Sequence, residues 1–506
     1  MKNILTPVVI FFLATAVYSQ DNSPYYLDNT YNKVIEYLIN SGKIDITHPL
    51  NQPFTAGQVY KAIDISKNVD NDDYWSSVLK KDLKRYLPDE TPKGRLLLGA
   101  TGNGSLKQQE DEFDYSIDGT FYGSYNYKNI LVWYGYTASS DYLDDTLYFG
   151  TTGKLQNKVY GRASTSYMKY NSKYFNVFYG RLSRNFGLTN SVSLIRSPNP
   201  YSYDNFSFSL FNKILKYSFS TTRLEDKYGY DIREDSIPQY DWYKRYISFH
   251  RLEISFSKNF KFAFSESILY GGKDQAPVPA YINPVNILFL AKMNDRKGLE
   301  EGNANALSAI EIYARPFRKM SVYAQFLIDD MDFTKELRSK YPDRIGFTSN
   351  IAFADIIPLS QIKLFYTRIS NWTYNSFYTY GNYTFYGKSI GFPKNGFENY
   401  GIEVDVFKLS KVYFSAILQY QREREQDLET HYDYTKTDFP VGISQNMFGA
   451  SIDINYIPSV FISSSLGIEY LSVSNYLHIQ DNSRSFFNVR LTLRANGVFS
   501  IFTKNK

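Results

Sequence analysis

The sequence predicts an all-β protein, a transmembrane antiparallel barrel of about 18 strands with a small N-terminal helical region ahead of it. Three observations carry that expectation: an export signal at the start, period-two alternation along most of the 506 residues, and 48 Tyr, 38 Phe and 4 Trp in a chain without cysteine. Tyrosine joins an apolar ring to a polar tip, which suits the girdles where a barrel wall meets lipid headgroups.

Residues 1–19 read as a secretory signal peptide, with Lys2, an apolar run from Val8 to Val17 and small-residue cleavage positions at Val17-Tyr18-Ser19. The run is too short for the roughly 20 residues of a spanning helix. Later apolar stretches are broken within a few residues by Lys, Asp, Ser, Asn or Gly, which excludes a helical membrane protein. Without cysteine there is no disulfide framework, thiol nucleophile or lipoprotein anchor. The expected location is the outer membrane of a Gram-negative cell, with its lipid as one partner. The net charge of +5 is small and spread along the chain, so no nucleic-acid partner is expected.

Residues 20–92 form the expected periplasmic helical region, because apolar positions recur there at helical spacing. Tyr31, Val34, Ile35 and Leu38 share one face, and Gly42 falls where a left-handed residue ends a helix. Thr55 and Gln58 make a capping box for a second helix that turns Val59, Ala62 and Ile63 inward. A third helix, from about Asp72 to Pro88, buries Trp75, Val78, Leu79, Leu83 and Tyr86. A bundle of this size is marginal alone.

Residues 93–506 are the expected barrel. Phe487, Val489, Leu491 and Leu493 alternate with Asn488, Arg490, Thr492 and Arg494, giving one apolar and one polar face. Leu252 and Ile254 oppose Arg251 and Glu253; Val322, Ala324 and Phe326 oppose Tyr323 and Gln325; Ile402 and Val404 oppose Glu403 and Asp405. Such segments run about ten residues, and a count gives roughly 18 to 20 of them, in a fold that favours even numbers. The sheet must close, since an open edge in hydrocarbon leaves backbone groups without partners.

Chemistry of bond-making is not expected. The four histidines, His48, His250, His431 and His478, have no metal-ligand spacing, and no nucleophile elbow or phosphate loop occurs. The reading is of a protein that is not an enzyme and has neither metal nor cofactor. A hydrolase built on His250 is the weaker alternative.

Two stretches differ from generic wall. One runs Gly180-Arg181-Leu182-Ser183-Arg184 and on through Ser193-Leu194 to Pro198 and Pro200; the other is His250-Arg251-Leu252-Glu253 followed by Glu266, Tyr270 and Gly271. With the Pro49-Leu50 and Pro53-Phe54-Thr55 stretch and the layout of signal, helices and barrel, they resemble the capsule-assembly outer-membrane family Wzi. The resemblance implies a surface lectin that holds capsular polysaccharide or exopolysaccharide on the cell, with polysaccharide export machinery as a further partner. It also implies that Arg181, Arg184, Arg251, Glu253 and Glu266 are lumenal charges bracing the interior. Parity supports Arg251 and Glu253, whereas Glu266 shares a face with Phe262 and Phe264 unless a bulge intervenes.

For sugar contact the ring-rich loops are the expected surfaces, because sugar rings lay C–H faces on aromatic rings while hydroxyls take polar partners. These are Trp372, Tyr374, Tyr378, Tyr380, Tyr383 and Tyr386 in one loop, Tyr240, Trp242 and Tyr243 in a second, and His431, Tyr432 and Tyr434 in a third, all placed outside. A monomer is expected. The competing reading, a porin-like channel or transporter, rests on the inward Arg and Lys residues.

Overall fold

The computed structural model describes residues 23–25, 30–66, 73–87, 94–109, 112–142, 144–149, 160–230, 240–294, 304–330, 342–376, 378–430 and 438–503. Among them, eighteen antiparallel strands close into one barrel: β1 Gly94–Gln109, β2 Glu112–Tyr127, β3 Ile130–Ser139, β4 Tyr160–Asn171, β5 Phe175–Arg181, β6 Asp204–Phe211, β7 Leu215–Arg223, β8 Asp241–Ser257, β9 Phe260–Gly272, β10 Ala304–Phe317, β11 Met320–Asp330, β12 Arg344–Ala354, β13 Ser360–Ile369, β14 Phe397–Val406, β15 Val412–Glu423, β16 Gln445–Tyr456, β17 Ile462–Ser474 and β18 Arg484–Thr503. Each pairs with the next, and β18 returns to β1 along a ladder from Asn488↔Gln109 to Thr503↔Gly94. This satisfies every strand edge, as lipid demands.

Alternation decides which side is which. Phe487, Leu491 and Leu493 are exposed on the outer wall, while Arg251, Glu311, Gln325, Glu403 and Asp405 are buried inside. Turns at one end are short, two of them made by Lys128 and Lys411 in left-handed conformations; loops at the other end are long. Long loops mark the extracellular end of such barrels.

The three expected helices form: α1 Asn32–Asn40, α2 Ala56–Asp64 and α3 Tyr74–Lys84. Gly42 follows α1 at φ 71°, the left-handed stop. Thr55 and Gln58 complete a reciprocal capping box on α2, and Asp73, one residue later than read, caps α3. No helix is long and apolar enough to cross a membrane among the described residues.

The helices do not hang beneath the barrel; they are seated in its inner mouth and share one core with Leu97, Tyr122, Leu131, Trp133, Tyr313 and Tyr323 of the wall. Lys363 of β13 lies 2.9 Å from both Glu36 of α1 and Glu403 of β14. Asn40 donates to Gln361 at 2.9 Å, Trp75 donates to Phe407 O at 2.7 Å, and Arg85 donates to Val460 O and Asn496 O. A helical set too small to bury its own faces borrows the barrel lumen for the rest.

This seating is expected to depend on pH. His48 is buried, donates from Nε2 to Asn212 O at 2.9 Å, and is pushed down to about 4 by burial and by nearby Lys216. The docked imidazole stays neutral where a free one protonates, so docking is strongest above the free value near 6.5 and weakens as pH falls toward about 4. Between pH 7.5 and 5.5 the expected loss is about 1 kcal/mol. It reads as lower amide-exchange protection factors across residues 31–66 and 73–86 at pH 5.5, once the slower intrinsic exchange at that pH is divided out, and His48→Gln should flatten that difference.

Candidate functional site

The outer half of the lumen is filled by two chain segments that dive inward from the loop end. Residues 182–203 form the first. Asn185 holds this segment's own backbone, accepting from Ser193 N at 3.0 Å and donating to Ser191 O at 2.7 Å. Gln325 of β11 ties it to the wall by accepting from Leu194 N at 2.7 Å. The segment meets the N-terminal region midway down the barrel: Gln52 and Asn185 exchange backbone hydrogen bonds, and Gln52 Nε2 donates to Gly187 O at 2.8 Å.

Residues 370–396 form the second segment. Arg245 of β8, fully buried, donates to the carbonyls of Tyr380, Asn382 and Thr384 at 2.6–2.9 Å and pairs with Glu225 at 2.7 Å. Tyr374 donates to Leu194 O at 2.6 Å, and the Tyr383 hydroxyl lies 2.9 Å from Ile195 O and 2.8 Å from Ser267 Oγ. Arg424 lies over the buried Trp372 ring, 4.9 Å from its centroid.

Of the rings expected to face glycan, Trp372, Tyr374, Tyr378, Tyr380 and Tyr383 are all buried, and the hydroxyls of Tyr374 and Tyr383 tie the two inserted segments to each other and to the wall. Tyr386 remains partly exposed and stacks on Phe149 at 3.7 Å, Trp242 is exposed on the outside, and Tyr243 stacks on Tyr380 at 4.2 Å. His431, Tyr432 and Tyr434 lie outside the described residues.

Beside the inserted segments a cavity of about 390 Å³ opens between β1–β4 and the Pro198–Ser202 stretch. Its wall is a ladder of hydroxyls and amides, with Thr120 and Thr137 at 2.8 Å, Thr137 donating to Ser164 at 2.7 Å, and Asn103 donating to Asp118 at 2.7 Å. Arg162 lies over the Tyr201 ring at 4.3 Å and donates to Ser202 O at 2.9 Å. Tyr142 stacks on Tyr148 at 4.6 Å, and both meet Tyr201 edge-on. Asp145 accepts from Lys388 and Tyr201; against the opposing effect of burial these bonds hold its carboxyl below the usual range, so it is ionised at neutral pH. Aromatic faces beside neutral donors and acceptors are what a sugar ring needs. In the sequence the Asp141-Tyr142 to Tyr148-Phe149 stretch carries a signal for this rim, an aromatic and acidic loop of the same type as the three ring-rich loops.

The family-motif charges separate into two groups. Arg251 and Glu253 face the lumen and together grip one residue of the N-terminal region on both sides: Arg251 donates to Leu50 O at 2.7 Å and Glu253 accepts from Leu50 N at 3.2 Å. Arg251 also pairs with Glu311 at 2.5 Å. Arg184 turns inward over Phe178. Arg181 and Glu266 are not lumenal. Arg181 pairs with Asp204 beside the exposed Tyr179 and Phe206, on the outer face at the loop-end rim, because it lies an odd step from buried Phe178. Glu266 stays in unbroken register opposite His250, so no bulge turns it in. It is buried against the outer wall by the 279–294 segment, where it accepts from Leu288 N at 3.2 Å. No cluster of metal-ligating side chains occurs among the described residues.

A closed 18-stranded wall with an apolar exterior and a lumen occupied from both ends defines a β-barrel of the outer-membrane type. Residues 88–485 match the family described as capsule assembly protein Wzi, and the chain belongs to that family. Among solved structures, the chain is similar to Escherichia coli Wzi, described as an outer-membrane protein involved in group 1 capsule assembly and as a carbohydrate-binding β-barrel. The two share 12% identity and a TM-score of 0.60 over 94% of this chain and 99% of that one. Pseudomonas aeruginosa OccD3 (OpdP) matches over 80% of this chain and 91% of its own at 9% identity and TM-score 0.47. Acinetobacter baumannii OccAB4 matches over 81% of this chain and 100% of its own at 10% and 0.46. No curated protein matches.

Proposed function

We propose that this protein binds polysaccharide at the cell surface and holds it there, through the hydroxyl-lined cavity between β1–β4 and Pro198–Ser202 and the aromatic rim of Tyr142, Tyr148, Phe149 and Tyr201. The observation that carries this reading is the cavity itself: stacked rings at its mouth, hydroxyls and amides along most of its wall with Asp118 and Arg494 among them, and Arg162 over Tyr201. Membership of the capsule assembly Wzi family supports it, as does the carbohydrate binding named for the Escherichia coli relative. A lumen occupied from both ends favours binding over the porin-like reading. The protein works by retention rather than by bond-making, as a monomer in the outer membrane, with residues 1–19 removed on export and an export machine delivering the glycan.

The test is a deletion strain complemented with wild-type protein, Tyr201→Ala or Arg162→Ala. Loss of one stacking ring is expected to release most of the polysaccharide into the medium at unchanged total synthesis, with heat-modifiable migration showing an intact barrel. Full retention by both variants would overturn the assignment of this cavity.

A further inference from the structure

A second chamber of about 410 Å³ lies at the inner end, between the N-terminal region and strands β4–β7, and its charge is one-sided. Lys61, Lys169, Lys173, Arg184 and Lys216 line it, and none of its described lining residues is acidic. None of the five pairs with a carboxylate among the described residues. Lys216 stands opposite Glu253 in the ladder, but that carboxylate is turned to Leu50 N and His48. Among the described residues, Arg184 meets a serine hydroxyl at 3.3 Å and the Phe178 ring.

Lumenal cations without counter-charge are costly to hold, and unlike the braced Arg251 and Arg245, the part-buried Lys169, Arg184 and Lys216 are left without one. Asn171 lines the same chamber, is 5% exposed, and its amide Nδ2 has no hydrogen-bond partner. The first turn of α2, at Thr55, Gly57 and Gln58, also faces it and adds the positive end of a nine-residue helix. Lys61 and Lys173 stand exposed at the edge, so the chamber opens toward the inner side. Pro53 and Leu182 border both this chamber and the outer cavity, and so separate the two.

We propose that this inner chamber is an anion site that takes an acidic sugar segment bearing carboxylate or phosphate groups, with Lys169 and Lys216 as its charge partners and Asn171 as a neutral donor. Its volume falls in the ~300–1,000 Å³ range of ligand sites. The choice of a sugar as carrier rests on the glycan-binding reading above; the requirement for an anion rests on the chamber alone.

Calorimetry on the full chain in detergent micelles tests it with three probes: tetragalacturonate, glucose 1,6-bisphosphate and maltotetraose. One or both anionic probes are expected to bind, with affinity falling several-fold as salt rises from 50 to 300 mM, and maltotetraose should not share that salt dependence. Which anionic probe binds identifies carboxylate or phosphate as the recognised group. Lys169→Gln combined with Lys216→Gln should weaken the anion at least tenfold. Should the double variant fail to give a heat-modifiable barrel, Lys61→Gln with Lys173→Gln at the mouth is expected to lower anion affinity severalfold in its place. Absence of anion binding, or equal affinity in wild type and the lysine variants, overturns the proposal. Polysaccharide retained on cells carrying Tyr201→Ala, together with lysine-dependent anion binding, would instead sink the outer-cavity reading and leave the chamber standing.

Discussion

Replacing Arg251 with methionine is expected to loosen the N-terminal helices from the barrel mouth while the barrel stays closed. The guanidinium is fully buried, donates to Ser265 at 2.7 Å, grips both oxygens of Glu311, and caps Leu50 O. Removing it leaves Glu311 as a buried charge without its cation and Leu50 O without a donor. Breaking one side of such a pair costs about 3–5 kcal/mol. Faster amide exchange across residues 31–86, with unchanged heat-modifiable migration, is the expected readout. Arg251→Met combined with Glu311→Met should be less damaging than Arg251→Met alone, because it removes both charges. If the single variant exchanges like wild type, the Leu50 clamp does not seat the helices.

Arg245→Ala is expected to do the corresponding damage at the outer end. Three carbonyls of the 370–396 segment converge on this one side chain, and Glu225 loses its cation when it goes. Several kcal/mol of local stability should disappear. External protease is then expected to cut between residues 379 and 386, which the wild-type chain resists. In planar bilayers wild-type protein should give no ohmic steps, and Arg245→Ala combined with Arg251→Met should give them, because the 370–396 segment and the N-terminal helices are released together and only residues 182–203 remain across the lumen. Stable steps from wild type would mean that the lumen is open, and the retention mechanism would lose its footing.

Much of the frame was readable in residue order. Gly42 stops α1, the Thr55 and Gln58 pair opens α2, and the alternation at Phe487–Leu493 and at Leu252–Ile254 assigns faces that the structure keeps. Even the outward turn of Arg181 was available from its odd step beyond Phe178. The interior was not readable. A stretch rich in Tyr, Asn, Ser and Gly suits a wet surface loop and a lumenal filling equally, since a barrel interior accepts the same polar side chains as the surface does. Nothing local distinguishes the buried Tyr374 and Tyr383 from the exposed Trp242; their hydroxyls became tethers because Leu194, Ile195 and Ser267 happened to arrive opposite them.

The amino-acid order by itself determined the closed wall, its greasy exterior and the three capped helices, because these follow from short-range periodicity and from the rule that no backbone group goes unpaired in lipid. Tertiary structure alone decided what fills the lumen, where Glu266 points its carboxylate, and which rings remain free to meet a ligand. Those outcomes depend on partners far apart along the chain, such as Arg251 with Leu50 and Arg245 with Tyr380, and no local pattern encodes a contact between residues brought together only when the barrel closes around them.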